Sequence, residues 1–254
     1  MTERHPRRAW GSHAAVLLFV STVTPAVAQV RYVIDPGATL SWYQANPHTS
    51  LVWGTTCPAD PFWRAGESRN EPGGTRGLAL PKVGMAMIKD SIIPLWQRAR
   101  ASRVCTHSVR GEFIAQDTVN WTGITGTIII QPDSFYSGLM SRDRLARSDV
   151  FGLPVYPEIK FVVDSVTDVV TTDSTRGFAW GTFFFRNVQM PEKAPIRIIR
   201  DPLGLRVAAR VWMIPTDLIE VYGVSIHNVR LGMSSGTWAA IHFGVDAILN
   251  PVSP

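Results

Sequence analysis

The sequence predicts an all-β fold, an antiparallel barrel of about eight strands with one or two short helices. Three observations predict it. Apolar residues alternate with polar ones at period two in run after run, the pattern of a half-buried strand. Turn-forming residues separate those runs, at Gln131-Pro132-Asp133, Thr171 to Ser174, Asp201 to Gly204 and Asn250-Pro251. In the middle of the chain only one stretch, about Ser137 to Ser148, reads as a good helix, with Ser137 as its N-cap.

The N-terminal 28 residues read as a secretory signal peptide rather than as part of the fold. Arg4, Arg7 and Arg8 form a basic region, Ala14 to Val23 an apolar run too short to span a bilayer, and Ala26-Val27-Ala28 a small-residue cleavage site. The expected mature chain begins at Gln29 and no cysteine follows directly for a lipid anchor. This places the protein in the periplasm or outside the cell, as one barrel domain over 29–254. The leader carries three arginines and one glutamate, so of the chain's net +5 about +3 remains. Without a basic cluster, that charge gives no reason to invoke nucleic acid. It allows transient contact with an anionic membrane surface.

Cys57 and Cys105 are the only cysteines. In an oxidising compartment an even pair reads as one disulfide. Closing a loop of that length stabilises by about 4 kcal/mol in the chain-entropy description. The alternative is a reactive Cys57 beside His48. Both cysteines fall in a segment, about 45–107, where turn residues are dense and periodicity is weak: Pro58, Pro61, Pro72-Gly73-Gly74, Pro81 and Pro94. A long connection of this kind is normally functional or mobile. It reads as a disulfide-bounded insertion that caps a barrel mouth, offers a partner surface, or only adds stability.

The strands follow. Val109, Phe113 and Ala115 oppose Arg110, Glu112 and Gln116; Ile124, Ile128 and Ile130 oppose Thr125, Thr127 and Gln131. After a turn on Pro154 and Pro157, Ile159, Phe161 and Val163 alternate with Lys160, Val162 and Asp164. Ile196 and Ile198 flank Arg197; Leu205, Val207, Val211 and Met213 oppose Arg206 and Arg210; Ile241, Phe243, Val245 and Leu249 oppose His242 and Asp246. In Phe183-Phe184-Phe185 the alternation fails, with Trp180 and Phe184 on one face and Phe183 and Phe185 on the other. A second short helix or irregular loop is expected within 215–235.

Catalytic patterns are poor. His48, His107, His227 and His242 show no metal-ligand spacing, and the sequence has no G-x-S-x-G, no Walker loop and no dinucleotide fingerprint. Asp143 and Arg144 on the short helix are candidates for a polar head group at the mouth, and Asp149 for a cap or a pair with Arg147.

Several short motifs, in order, resemble the YceI-like family of secreted, lipocalin-like barrels that bind polyisoprenoid lipids. These are Tyr32-Val33-Ile34-Asp35-Pro36, then Val109-Arg110-Gly111-Glu112-Phe113 with Gly126-Thr127-Ile128. Asp143, Leu145, Ser148-Asp149-Val150-Phe151 and Tyr156-Pro157-Glu158-Ile159-Lys160-Phe161 follow, and then Trp212 to Leu218. The resemblance covers most of the expected mature chain, apart from the insertion. It implies a non-enzymatic carrier for one long hydrophobic molecule, an isoprenoid lipid, a quinone or a fatty-acid-like lipid, with no other cofactor and no metal. Phe113, Ile128, Ile130, Phe161, Val163, Val211, Met213 and Phe243 are expected to share one interior, since each lies on the apolar face of its strand. Trp42, Phe183 and Phe185 join them as candidate ligand contacts. The alternative is a filled barrel that serves as a scaffold for protein–protein interaction or stress protection through the insertion.

Overall fold

The computed structural model describes residues 29–45, 57, 102–213, 215–225 and 241–252. The expected signal peptide, most of the expected insertion and residues 226–240 lie outside the described residues. The strands are β1 (Val30–Ile34), β2 (Leu40–Ala45), β3 (Ser102–Thr106), β4 (Val109–Ala115), β5 (Ile124–Ile130), β6 (Ile159–Thr171), β7 (Thr175–Phe185), β8 (Val188–Asp201), β9 (Gly204–Met213) and β10 (Ile241–Val252). All pair antiparallel, in the order β1-β4-β5-β6-β7-β8-β9-β10, and β10 pairs back with β1 to close the barrel. Closure removes the sheet edge, the liability of any open antiparallel sheet.

The two remaining strands extend one end. β2 continues along the same edge of β10 that β1 occupies, and β3 pairs with β2 as β4 pairs with β1. The corner between β1 and β2 is held by the Ile248 N–H donating to Thr39 Oγ1 at 3.2 Å and the Asp35 N–H donating to the Ile248 carbonyl at 2.8 Å. β3 lies inside the span expected to be insertion. Five residues, Ser-Arg-Val-Cys-Thr, are too few to show alternation against a turn-rich background.

The hairpins place every strand end at one of two poles. At the hairpin pole lie the turns after β4, β6 and β8, and the last residues of β10. At the opposite pole the chain between β5 and β6 forms a 3-10 turn (Pro132–Ser134), α1 (Met140–Leu145) and one π-helical turn (Ala146–Val150). After β9 comes α2 (Pro215–Glu220). The helix expected over Ser137 to Ser148 therefore starts later, and Ser137 is not its N-cap. Leu139 holds that position, while the Ser137 N–H and hydroxyl both donate to Asp143 Oδ1 at 2.7 Å. The Asp143 carboxylate, a charged acceptor reaching back from the helix, satisfies Ser137 instead. No helix among the described residues is long and apolar enough to cross a membrane.

Candidate functional site: the barrel interior

Alternation decides which side chains enter the barrel. β4 sends in Val109, Phe113 and Ala115; β5 sends Ile124, Ile128 and Ile130, all buried. On β6, Ile159, Phe161 and Val163 are buried before the register shifts between Val163 and Ser165. The bulge turns Val166, not Ser165, toward the interior, where it lines a cavity. Ala179 and Phe183 on β7, Ala194, Ile196 and Ile198 on β8, Leu205, Ala209, Val211 and Met213 on β9, and Phe243, Val245 and Leu249 on β10 complete one continuous core.

Two cavities lie within it. The larger, about 60 Å³, is at the hairpin pole, walled by Tyr32, Phe113, Trp121, Ile124, Ile198, Leu205 and neighbours, and exposes no polar surface. The second, about 40 Å³, is walled by Ile130, Ile159, Phe183, Val211 and Phe243 toward the other pole. Ile128, Phe161 and Ala209 belong to both walls, so the chambers lie in line through the barrel. At about 10–15 Å³ for one water-sized sphere, the larger holds roughly four to six such spheres.

Of the side chains expected inside, Phe113 and Val163 line the larger chamber; Ile130, Phe183, Val211 and Phe243 the smaller; Ile128 and Phe161 both. Met213 and Phe185 are buried in the same core without lining a chamber. Trp42 is the exception and corrects the expectation. It sits on the outer face in a separate cluster with Leu40, Cys105, Cys57 and Tyr136. Its cross-strand partners are Cys105 and Gly244. A Cβ on Gly244 would lie 2.3 Å from the Trp42 ring, so glycine is required where the indole lies on β10. The neighbouring Tyr43 faces inward instead, 5.3 Å from Phe243 between ring centroids. Both faces of β2 carry an aromatic ring, so polarity could not choose between them.

The disulfide Cys57–Cys105 is present, with a Cα–Cα distance of 5.9 Å. It rules out a free Cys57 thiol for catalysis. Cys105 also exchanges backbone hydrogen bonds with Tyr136, each 2.8 Å. The bridge thus ties the segment beginning at β2 to the cap that follows β5.

That cap closes the helical pole. Phe151 stacks on Phe135 at 4.8 Å and meets Tyr43 edge-on at 5.6 Å. Phe185 contacts Phe243 at 5.1 Å and Tyr222 at 5.3 Å. Arg186, which pattern reading missed, joins the two caps. Its guanidinium donates to the Asp149 and Val150 carbonyls at 3.0 and 3.1 Å and to the Gly223 carbonyl at 3.2 Å. The signal was present: Arg186-Asn187 is a two-residue hairpin with positive φ at both positions, which aims the side chain past the strand ends. Arg147, expected near Asp149, donates instead to the Phe135 carbonyl at 2.6 Å. The hydroxyl of Tyr43 is buried with no hydrogen-bond partner among the described residues, and burial pushes its pKa well above the ordinary 10.0.

Among the described residues no group of three or more His, Cys, Asp or Glu side chains is placed to hold a metal ion. No protein-family model matches the sequence. No curated protein matches it well enough to count as a relative. Solved structures do match. BcnA of Burkholderia cenocepacia superposes with a TM-score of 0.52 at 10% identity, covering 85% of this chain and 99% of BcnA. In fold, the chain, a closed antiparallel barrel, is similar to BcnA. A polyisoprenoid binding domain from Saccharophagus degradans, implicated in plant cell wall breakdown, has a TM-score of 0.48 at 8% identity, over 87% of this chain and 98% of that one. The YCEI protein of Campylobacter jejuni has 0.36 at 14%, over 51% and 73%. In this barrel the alternating faces leave Arg110 and Arg206 on the outside, while Glu192 and Arg210 are charged side chains that are buried, and Lys160 and Arg210 join the wall of the smaller chamber.

Proposed function

We propose that the barrel holds one elongated apolar molecule along its axis, outside the cytoplasm, as a binding protein rather than an enzyme. One observation carries the reading: two apolar chambers in line, sharing Ile128, Phe161 and Ala209 as a common wall. An apolar chain in them needs no charged group, because each buried methylene stabilises by about 0.8 kcal/mol. The sequence motifs support an isoprenoid lipid or quinone as the ligand class, and the disulfide supports an oxidising compartment. The chambers are narrow. A ligand longer than a few methylenes enters only when the Phe161 and Phe183 rings rotate aside.

That narrowness favours one second reading, a filled barrel that presents the disulfide-bounded segment to a partner protein. Native mass spectrometry of the purified chain separates the two. The carrier reading expects one added apolar mass per chain, either co-purified or after incubation with farnesol. A chain that stays at its own mass in both cases overturns the carrier reading in favour of the scaffold. N-terminal sequencing of exported protein tests the location, with Gln29 expected as the first residue.

A further inference from the structure

The geometry points to a head-group site at the hairpin pole, in which Arg200 and Tyr32 take the anionic head, a carboxylate or phosphate, of a molecule whose tail lies in the larger chamber. The inference rests on the carrier reading above.

Register places the two residues. β8 and β9 pair Ile196 with Ala209, Ile198 with Val207 and Arg200 with Leu205. Ile196, Ile198, Val207, Ala209 and Leu205 all line the larger chamber. Arg200 is therefore the next residue outward on the same inward face, at the mouth and exposed to water. Tyr32 lies on β1 and lines the same chamber. Its hydroxyl makes no hydrogen bond to any described residue, and a phenol is a ready donor.

Arg176 at this pole is exposed on the outer face of β7, opposite to the buried Thr175 and Gly177, and several other charges are engaged. Asp201 accepts the Leu203 N–H at 2.9 Å, and Asp117 accepts those of Val119 and Asn120 at 2.7 and 2.9 Å. Arg206 pairs with Asp246, Arg31 with Glu112 and Lys193 with Asp168. Arg197 donates to the Ser174 hydroxyl at 3.2 Å. Among the described residues Arg200 has no ion-pair partner, and no carboxylate shares its inward register at this mouth. Burial raises the pKa of Tyr32, while the positive charge of Arg200 pulls it the other way. A cation and a hydroxyl donor above a chamber that exposes no polar surface match an amphiphile with one anionic end.

The test compares three probes of one chain length, dodecanoate, dodecyl phosphate and dodecanol, by isothermal titration into the full-length chain and into Arg200→Gln and Tyr32→Phe variants. The site predicts that one or both anions bind at least about tenfold more tightly than the alcohol, a preference that falls as salt rises. Arg200→Gln is expected to reduce that preference to within about twofold while leaving dodecanol binding unchanged, since only the charge-assisted bond is lost. Tyr32→Phe is expected to reduce it by a smaller factor. Which anion binds more tightly tells a fatty-acid head from a phosphate head. Equal affinity of wild-type protein for alcohol and anions, or an Arg200→Gln variant that weakens all three alike, overturns the head-group site and leaves the carrier reading standing. Failure of all three probes to bind overturns both.

Discussion

The two poles of the barrel are built from the same alternating strands yet end differently. At the helical pole the inward rings are sealed: Phe135 and Leu218 are 0% exposed and Phe151 1%. At the hairpin pole the corresponding wall residues are smaller or looser, with Trp121 at 7% and Tyr32 and Leu205 at 8%, and the larger chamber lies between them. Period-two alternation fixes which face is inside. Whether that inside is filled depends on side-chain volume layer by layer. Ala115, Ala179 and Ala209 leave room where Phe183, Phe185 and Phe243 do not. The helical pole is therefore expected to carry stability, and the hairpin pole access.

Phe151→Ala tests the stability half most directly. Its ring is fully buried between Phe135 and Tyr43, so truncation is expected to cost about 3–5 kcal/mol, seen as a lower urea midpoint. A loss near zero would show that the caps do not support the barrel. Arg186→Ala comes next. It leaves three carbonyls of the two caps without their charged donor, and about 1.5–3 kcal/mol is expected to be lost. Faster amide exchange at the 146–151 turn than at β5 would locate the damage at the caps.

Ala209→Phe probes the boundary between the poles. The new ring enters the shared wall of both chambers. It is expected to cost at most about 1–3 kcal/mol in overpacking while abolishing uptake of farnesol or dodecanol. Undiminished uptake would mean that the ligand does not run along the axis. Tyr43→Phe should shift stability in the opposite direction. Removing a buried hydroxyl that has no partner among the described residues is expected to raise stability by about 1 kcal/mol or more, read as a higher Tm. Destabilisation would mean that the hydroxyl does find a partner.

These side chains differ in how well the sequence announced them. Phe113, Ile128, Phe161 and Val211 stand on strands with one polar face, and alternation placed them. Trp42 and Tyr43 are adjacent aromatics on a strand with one polar residue on each face, Gln44 beside Trp42 and Ser41 beside Tyr43, so nothing in polarity told the outer ring from the inner. Arg200 was hidden for the opposite reason. It occupies an inward position at the strand end, where alternation treats a charge as a break in the pattern rather than as part of the lining. Arg186 and the late start of α1 depend on a hairpin turn and on a carboxylate that meet only in three dimensions. The chambers themselves were beyond sequence, because alanine and valine on an inward face fill a narrow barrel and leave space in a wider one.

The smallest expected effect lies at the open pole, in the turn between β4 and β5. Asp117 accepts hydrogen bonds from the Val119 and Asn120 amides and from the Asn120 side chain at 2.8 Å. Those bonds, led by that of the Asn120 amide, hold its carboxyl below the ordinary value of 3.8 although the group is fully exposed. A depressed folded-state pKa means that the unfolded chain binds the proton first. The contribution is therefore complete above the ordinary value and is lost as pH falls below it, through the folded value. The turn carries Trp121, whose φ of 57° is unusual for a non-glycine residue and whose side chain walls the larger chamber. Acidification below the ordinary carboxylate range should therefore lower the protection of the Val119 and Asn120 amides, taken relative to their intrinsic exchange rates at each pH, while leaving that of the helical pole unchanged, and Asp117→Asn should remove that pH dependence. Equal loosening at both poles would mean that the difference between them is not local to the hairpin turns.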